Sequence, residues 1–310
     1  MHATSIKKRL KRTFLQMAEN KHNPEAQPHQ PIGIIAGGGR LPVSLCEAVI
    51  KSGKDVFVCA LEGFGEPDLN NYPHRWFEIQ SGMEIIKQLK LANCRQIVMI
   101  GTVKRPNDGT ETSDSGGRDD TAAQLLSGGG GDDQILSGIA GFLETLGFSV
   151  IGAHEIIPEN LIGNGAVGKH VHTVDNISDI AKGFEVLDVL GNLDVGQAVV
   201  VCGGYVLAIE AAEGTDEMLK RVTRLRKDGV VHKSGGVLVK RPKSGQDMRF
   251  DMPVIGPVTV ELVAEAGLSG IVVQAGNVLC HDRQGLIKRA DDLEIFVEGA
   301  TMSANGKVAS

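Results

Sequence analysis

The sequence predicts an α/β protein of two domains, an N-terminal domain built on a parallel sheet and a second α/β domain with a mixed sheet. Three observations carry this expectation. Short apolar runs rich in Val and Ile alternate with segments of helical spacing. Three consecutive glycines, Gly37 to Gly39, directly follow the first such run. The chain has 310 residues, and domains of roughly 100–200 residues are the rule, so two are expected.

Residues 1–30 read as a flexible polar tail. Lys7, Lys8, Arg9, Lys11 and Arg12 crowd its first part, and no apolar h-region follows, which argues against a secretory signal. The stretch SIKKRLKRTFLQMAE reads as a solvated tail, with a short basic amphipathic helix as the alternative. The N-terminal α/β domain is expected over 31–160. IGIIA is a strand, GGG a turn, RLPVSLCEAVIKSG a helix and DVFVCAL a second strand, a strand–turn–helix–strand unit of a Rossmann-like parallel sheet. GMEIIKQLKLANC reads as a helix and RQIVMIGTV as a strand. Polar, acidic composition from Lys104 to Asp133 predicts flexible surface with a helix at TAAQLL. DQILSGIAGFLETLG is then helical and FSVIGA a strand. The second domain, 161–310, is expected to carry the catalysis. It opens with the helix NISDIAKGFEVLDVLGNL and a hairpin, QAVVVCGGYVLAIEA, whose Gly-Gly marks the turn. TDEMLKRVTRLRK (helix), GGVLVKRPK (strand), TVELVAEAG (helix), GIVVQAGNVLC (a pair of strands) and EIFVEG (strand) complete it.

Composition narrows the function classes. Thirty-two basic residues face 38 acidic ones, for a net charge of −6, and aromatics make up only 4%. Neither a general attraction to nucleic acid nor base stacking follows, so an anionic ligand needs a local basic site. The five cysteines are widely spaced without a CxxC, which points to buried free thiols in a reducing compartment. No run reaches the roughly 18 apolar residues of a membrane span.

Several motifs carry chemistry. Glycines after a strand let backbone N–H groups approach a phosphate, and the following helix start adds partial positive charge. GGGRLP is neither GxGxxG nor a P-loop, and a plain tight turn explains it equally well. GTVKRP ends a strand on the same expected rim, with Gly101, Lys104 and Arg105 beside it. His154 and Glu155 follow another strand; His154 fits a general acid, a ligand or a hydrogen-bonded core group. Glu210 ends a strand, and Gly214, Thr215 and Asp216 enter a helix, where Thr215 or Asp216 is able to cap it. Carboxylates gathered there also suit Mg²⁺. Lys240 sits beside Arg241 and Lys243, and Asp251 lies between Phe250 and Met252, a poor place for a merely solvated acid.

Taken in order, IGIIAGGGRLP, GTVKRP, GAHEI, LDVGQAVVVCGGYVLAIEAAEGTDEML, GGVLVKRPK and RFDMPVIG resemble one family, the cytoplasmic UDP-2,3-diacylglucosamine pyrophosphatases of the non-calcineurin type. The resemblance runs from about Ile32 to Gly299. It implies hydrolysis of UDP-2,3-diacylglucosamine to UMP and 2,3-diacylglucosamine 1-phosphate in lipid A synthesis, with Mg²⁺. It also implies a homodimer whose two domains clasp the substrate, in the cytoplasm, with transient contact at the inner-membrane surface left open. The family's essential Asp falls on Asp251. Substrate-lining stretches fall on Gly37, Gly38, Thr215, Asp216 and Lys240, and Gly39, Leu41, Pro42, Gly101, Arg105, His154, Glu155 and Gly214 in the same matched segments are read as binding residues with them. The mechanism expected from these residues places Mg²⁺ on Asp251 with Glu210 or Asp216. The chain departs from the pattern at Thr102, where Asn is expected, and over Asn107–Gly131, where glycines replace basic residues. A UDP-using transferase and a non-catalytic nucleotide-binding protein are the competing readings.

Overall fold

The computed structural model describes residues 30–103, 132–231, 234–302 and 308–309. The contacts divide the chain into two units that meet between Ile156 and Ile157. The expected N-terminal tail, the TAAQLL helix and Arg105 lie outside the described residues.

In the first unit, β1 (Ile32–Ala36), α1 (Leu41–Lys51), β2 (Val56–Leu61), β3 (His74–Phe77), α2 (Gly82–Leu91), β4 (Gln96–Ile100), α3 (Asp132–Thr145), β5 (Ser149–Val150) and α4 (Ala153–Ile156) follow one another. The five strands form a wholly parallel sheet in the order β3-β2-β1-β4-β5. Buried Ile32, Ile34, Val58 and Val98 on one face and Cys59, Leu61 and Ile97 on the other make it apolar on both sides, as strands covered by helices on both sides require. The strand order reverses between β1 and β4, the switch point at which open α/β sheets bind ligands. Strand β3 escaped the sequence reading because HRWF, directly after Pro73, carries no apolar run.

The second unit contains β6 (Gly165–Ala166), α5 (Val174–Gly191), β7 (Ala198–Cys202), β8 (Tyr205–Ile209), α6 (Gly214–Lys227), β9 (Val237–Lys240), β10 (Val254–Ile255), α7 (Pro257–Glu265), β11 (Gly270–Gln274), β12 (Leu279–Cys280), α8 (Arg283–Asp292), β13 (Phe296–Met302) and β14 (Val308–Ala309). Its main sheet is mixed, in the order β14-β13-β11-β9-β7-β8, with β6 also on β13. Strand alternation sorts this sheet into two faces. Val199, Val201, Val237 and Val239 pack with Ile180, Phe184 and Leu187 of α5. Val200, Leu238 and Ile271 pack with Met218, Leu219 and Val222 of α6 and with Val260 and Val263 of α7. The α5 helix lies so close to β9 that a Cβ on Gly183 would meet Val239 Cγ2 at 2.4 Å. The β7–β8 turn is the expected hairpin. Gly203 and Gly204 both have positive φ, +57° and +79°, as a primed two-residue turn demands. The buried Asp179 carboxylate of α5 accepts both of their N–H groups, at 2.9 and 2.7 Å.

GIVVQAGNVLC holds the two expected strands: β11 belongs to the main sheet, and β12 pairs in parallel with β10. The segment RQGLIKRADD is helix α8, whose interior Gly285 and few apolar residues hid it; only Leu286 and Ala290 of it are buried.

Candidate active site

At the switch point of the first unit, the two glycine turns close on each other. Gly37 N–H donates to Ile100 O at 2.8 Å, and Gly38 N–H donates to Thr102 O at 2.8 Å. Thr102 N–H returns a bond to Gly38 O at 3.0 Å, completing an isolated antiparallel bridge. The approach requires glycine at Gly101 (φ +100°), where a Cβ would stand 2.7 Å from the Gly37 carbonyl carbon. The N–H groups of Gly37 and Gly38 are therefore spent within the fold, as the tight-turn reading of GGG has it. Gly39 (φ +89°) is exposed and leads into α1, whose first residues are Leu41 and buried Pro42. Arg40, at the N-cap of α1, makes no side-chain capping bond. Thr102, the departure from the expected Asn, stands over this turn, with its Oγ1 3.0 Å from where a Gly38 Cβ would lie.

His154 and Glu155 lie in α4, just past β5. Glu155 Oε1 accepts the Gly152 N–H at 2.8 Å, so Glu155 caps its own short helix. His154 Nδ1 is buried without a hydrogen-bond partner.

The second unit gathers the other predicted residues at one end of its sheet. Antiparallel pairing sets Ala198 opposite Lys240 and Val199 opposite Ile209, so Gln197, Glu210 and Lys240 emerge side by side. Alternation puts Lys240 on the same face as Leu238, under the first turn of α6. Its side chain is buried at 7% exposure. The ammonium donates to Thr215 Oγ1 at 2.9 Å and to Val254 O at 3.1 Å. Thr215 in turn donates to Glu210 Oε1 at 2.8 Å, while Glu210 Oε2 accepts the Gln197 N–H at 2.9 Å. Thr215 is thus a link between Lys240 and Glu210, not the helix cap that its position suggested; Glu213 occupies the N-cap. Gly214 enters α6 with φ +81°.

Asp251 sits in the loop between β9 and β10. Its Oδ2 accepts Gln197 Nε2 at 3.0 Å and Gln246 Nε2 at 2.6 Å. Asp247 and Arg249 form a bidentate pair within the same loop, which holds the Asp247 carboxyl below its usual range. Of the basic run, Lys240 is the most buried; Arg241 pairs with Asp188 and Lys243 with Asp194. Burial lowers the Lys240 pKa, and Glu210, Asp216 and Asp251 oppose that shift.

That arrangement bears on the expected Mg²⁺ ligands. Among the described residues, no three His, Cys, Asp or Glu side chains are gathered as a metal site. Each oxygen of Glu210 accepts one hydrogen bond, from Gln197 N–H and from Thr215 Oγ1, which fixes the carboxylate and leaves a second lone pair on each oxygen. Asp216 is exposed on the first turn of α6. Asp251 is a hard oxygen donor held in place, and it fits a cation that takes most of its ligands from water and a bound pyrophosphate. Gln197 and Gln246 escaped the sequence reading because glutamine carries no motif. The one signal was Gly196 (φ +59°), where a Cβ would come 2.1 Å from Glu210 O, marking a tight approach beside Gln197.

Comparison with known proteins decides the family. Residues 31–160 match the LpxI N-terminal domain and residues 163–298 the LpxI C-terminal domain. The chain is 39% identical, over 270 residues, to the UDP-2,3-diacylglucosamine pyrophosphatase LpxI of Caulobacter vibrioides, covering 86% of this chain and 96% of that protein. The chain belongs to the LpxI family. The family's two domain matches cover both units, and the Lys240–Thr215–Glu210 and Asp251 groups all fall within the C-terminal one. No helix among the described residues is long and apolar enough to cross a membrane.

Proposed function

We propose that this chain is a hydrolase that splits the pyrophosphate of UDP-2,3-diacylglucosamine into UMP and 2,3-diacylglucosamine 1-phosphate, with Mg²⁺. The observation that carries the reading is the 39% identity, over 96% of its length, to a relative named for that activity, combined with a buried cation and a clamped carboxylate at one end of the second sheet. An ammonium has three N–H donors. Two of those on Lys240 are placed on Thr215 and Val254, which aims the group, and we assign the third to a phosphate oxygen. There it offsets negative charge that grows as the anhydride P–O bond breaks, in a site too buried for water to screen it. Asp251 orients the attacking water or holds the Mg²⁺ that arrives with the pyrophosphate. Bound Mg²⁺ supplies charge withdrawal from the phosphoryl oxygens. Glu210 fixes Thr215 and, through the Gln197 N–H, the neighbouring chain. In the first unit, the exposed Gly39 and the start of α1 provide a surface of the kind that meets a phosphate. The lipid product and substrate are amphiphilic, and any contact with a membrane surface is transient; we place the protein in the cytoplasm, as a homodimer.

Product identity tests the reading. Purified full-length chain given UDP-2,3-diacylglucosamine is expected to release UMP with Mg²⁺ and none with excess chelator. Release of UDP with a glycosidic product assigns the chain to the transferases instead. Binding without turnover makes it a nucleotide-binding protein.

A further inference from the structure

We propose that Gln197 and Gln246 are positioning residues whose side-chain amides together hold the Asp251 carboxylate at Oδ2. The proposal deepens the reading above and rests on Asp251 acting on the substrate.

Two N–H donors from different elements converge on Asp251 Oδ2. Gln197 reaches it from the mouth of β7 at 3.0 Å, and Gln246 from the loop at 2.6 Å. Both glutamine amides therefore meet on the same oxygen. A carboxylate held by one donor still turns about its Cβ–Cγ bond, whereas two donors on one oxygen also fix the plane. Both glutamines are themselves anchored. Gln246 is buried at 8% exposure, and its Oε1 accepts the Lys243 N–H at 2.8 Å. That bond requires an acceptor, so it settles the amide's orientation and leaves Nε2 toward Asp251. A second bond from Gln246 Nε2 to the Asp251 carbonyl oxygen ties the loop at the same residue. The backbone N–H of Gln197 is fixed on Glu210 Oε2 at 2.9 Å.

The residue type matters. A neutral amide donates to a carboxylate without cancelling its charge. Lysine at either place would neutralise Asp251, and glutamate would repel it. The clamp also connects the two candidate groups, since Gln197 touches Asp251 through its side chain and Glu210 through its backbone, and Glu210 leads through Thr215 to Lys240. An orientation error of about 1 Å at a reacting group is enough to cost about 100-fold in rate.

Four full-length variants test this: Gln197→Leu, Gln246→Leu, Gln197→Glu and Gln246→Glu. Each Leu variant is expected to lose about 10–100-fold in kcat, the usual penalty for removing an outer-shell partner. KM should change little, because substrate binding is left intact. Each Glu variant should lose more kcat than its Leu counterpart, because a carboxylate then faces Asp251. Gln197 is half-buried, so Gln197→Leu carries the test if Gln246→Leu fails to fold. A second readout is independent of turnover. In protein labelled with ¹⁵N at glutamine side chains, the amide resonances missing from Gln197→Leu and Gln246→Leu identify the two groups, and both should shift in Asp251→Asn. Unchanged kcat in both Leu variants, or losses confined to KM, would overturn the clamp. If Asp251→Asn keeps full activity, the reading of Asp251 fails instead, whatever the glutamines do.

Discussion

Replacing Lys240 by Met removes the buried ammonium while keeping a long unbranched side chain in its place. Two hydrogen bonds disappear, to Thr215 Oγ1 at 2.9 Å and to Val254 O at 3.1 Å. Leaving these acceptors unpaired costs about 1–3 kcal/mol each. Relief of the charge's desolvation acts in the other direction and is of similar size. The net change in folding stability is therefore expected to be small, within about 2 kcal/mol. Activity behaves differently. If the third N–H of Lys240 meets a phosphate oxygen in the transition state, its loss removes one preorganised donor, and kcat falls about 100- to 1000-fold. The assay is UMP release at saturating substrate, with a urea denaturation curve on the same preparation. Lys240→Met with a kcat within about three-fold of the parent, in folded protein, would refute the assignment. The pH dependence gives a second check. Burial lowers the Lys240 pKa from 10.5, so the rate should fall with rising pH before an ordinary lysine would lose its proton. The sign for stability is opposite. Between the lowered folded pKa and the unfolded value, the unfolded chain binds more protons, so Lys240 makes stability rise with pH across that window. Lys240→Met should abolish both effects.

Other consequences follow from the same geometry. Asp251→Asn should lower kcat by about 100-fold or more while its thermal midpoint stays near that of the parent, as activity and calorimetry on one sample will show. Gly101→Ala should destabilise the first unit by about 2 kcal/mol or more, because a Cβ there meets the Gly37 and Gly38 backbone at 2.7–2.8 Å and φ is +100°; chemical denaturation measures it. Burial pushes the thiols of Cys46 and Cys94 up to about 12 and that of Cys280 to about 11, so Ellman's reagent at pH 8 should label the folded protein very slowly and all five cysteines once it is unfolded. The Arg249 pair depresses the Asp247 pKa, so Asp247 contributes stability above its unfolded pKa that is lost as pH falls through the folded one. Both side chains are partly exposed, and Asp247→Asn should cost less than about 1 kcal/mol at neutral pH.

The fold was legible where hydrophobic periodicity is strong. IGIIA, VFVCAL and QIVMI are buried runs that have no other use than a covered parallel sheet, and the glycine turn after the first of them marked the switch-point rim. Periodicity failed where a strand is short and polar, as in HRWF, and where a helix buries only two residues, as in RQGLIKRADD. The residue types of the site were legible too: Lys240, Thr215, Glu210 and Asp251 were all singled out as candidates. Their roles were not, because roles depend on which partner each side chain finds across the sheet. The bonds that tie Glu210 to Gln197 and Thr215 follow from antiparallel pairing, and Thr215 looked like a cap until Lys240 arrived from β9. The glycine amides looked available until the Gly101–Thr102 turn took two of them.

The central claim is that water splits the pyrophosphate, and a single experiment meets it most directly. The full-length protein is given UDP-2,3-diacylglucosamine and Mg²⁺ in ¹⁸O-enriched water, and both products are weighed by mass spectrometry. The account predicts UMP and 2,3-diacylglucosamine 1-phosphate in equal amounts, with one ¹⁸O incorporated into one of the two phosphates. Turnover with no label in either product, or no turnover by protein shown to be folded, would contradict it.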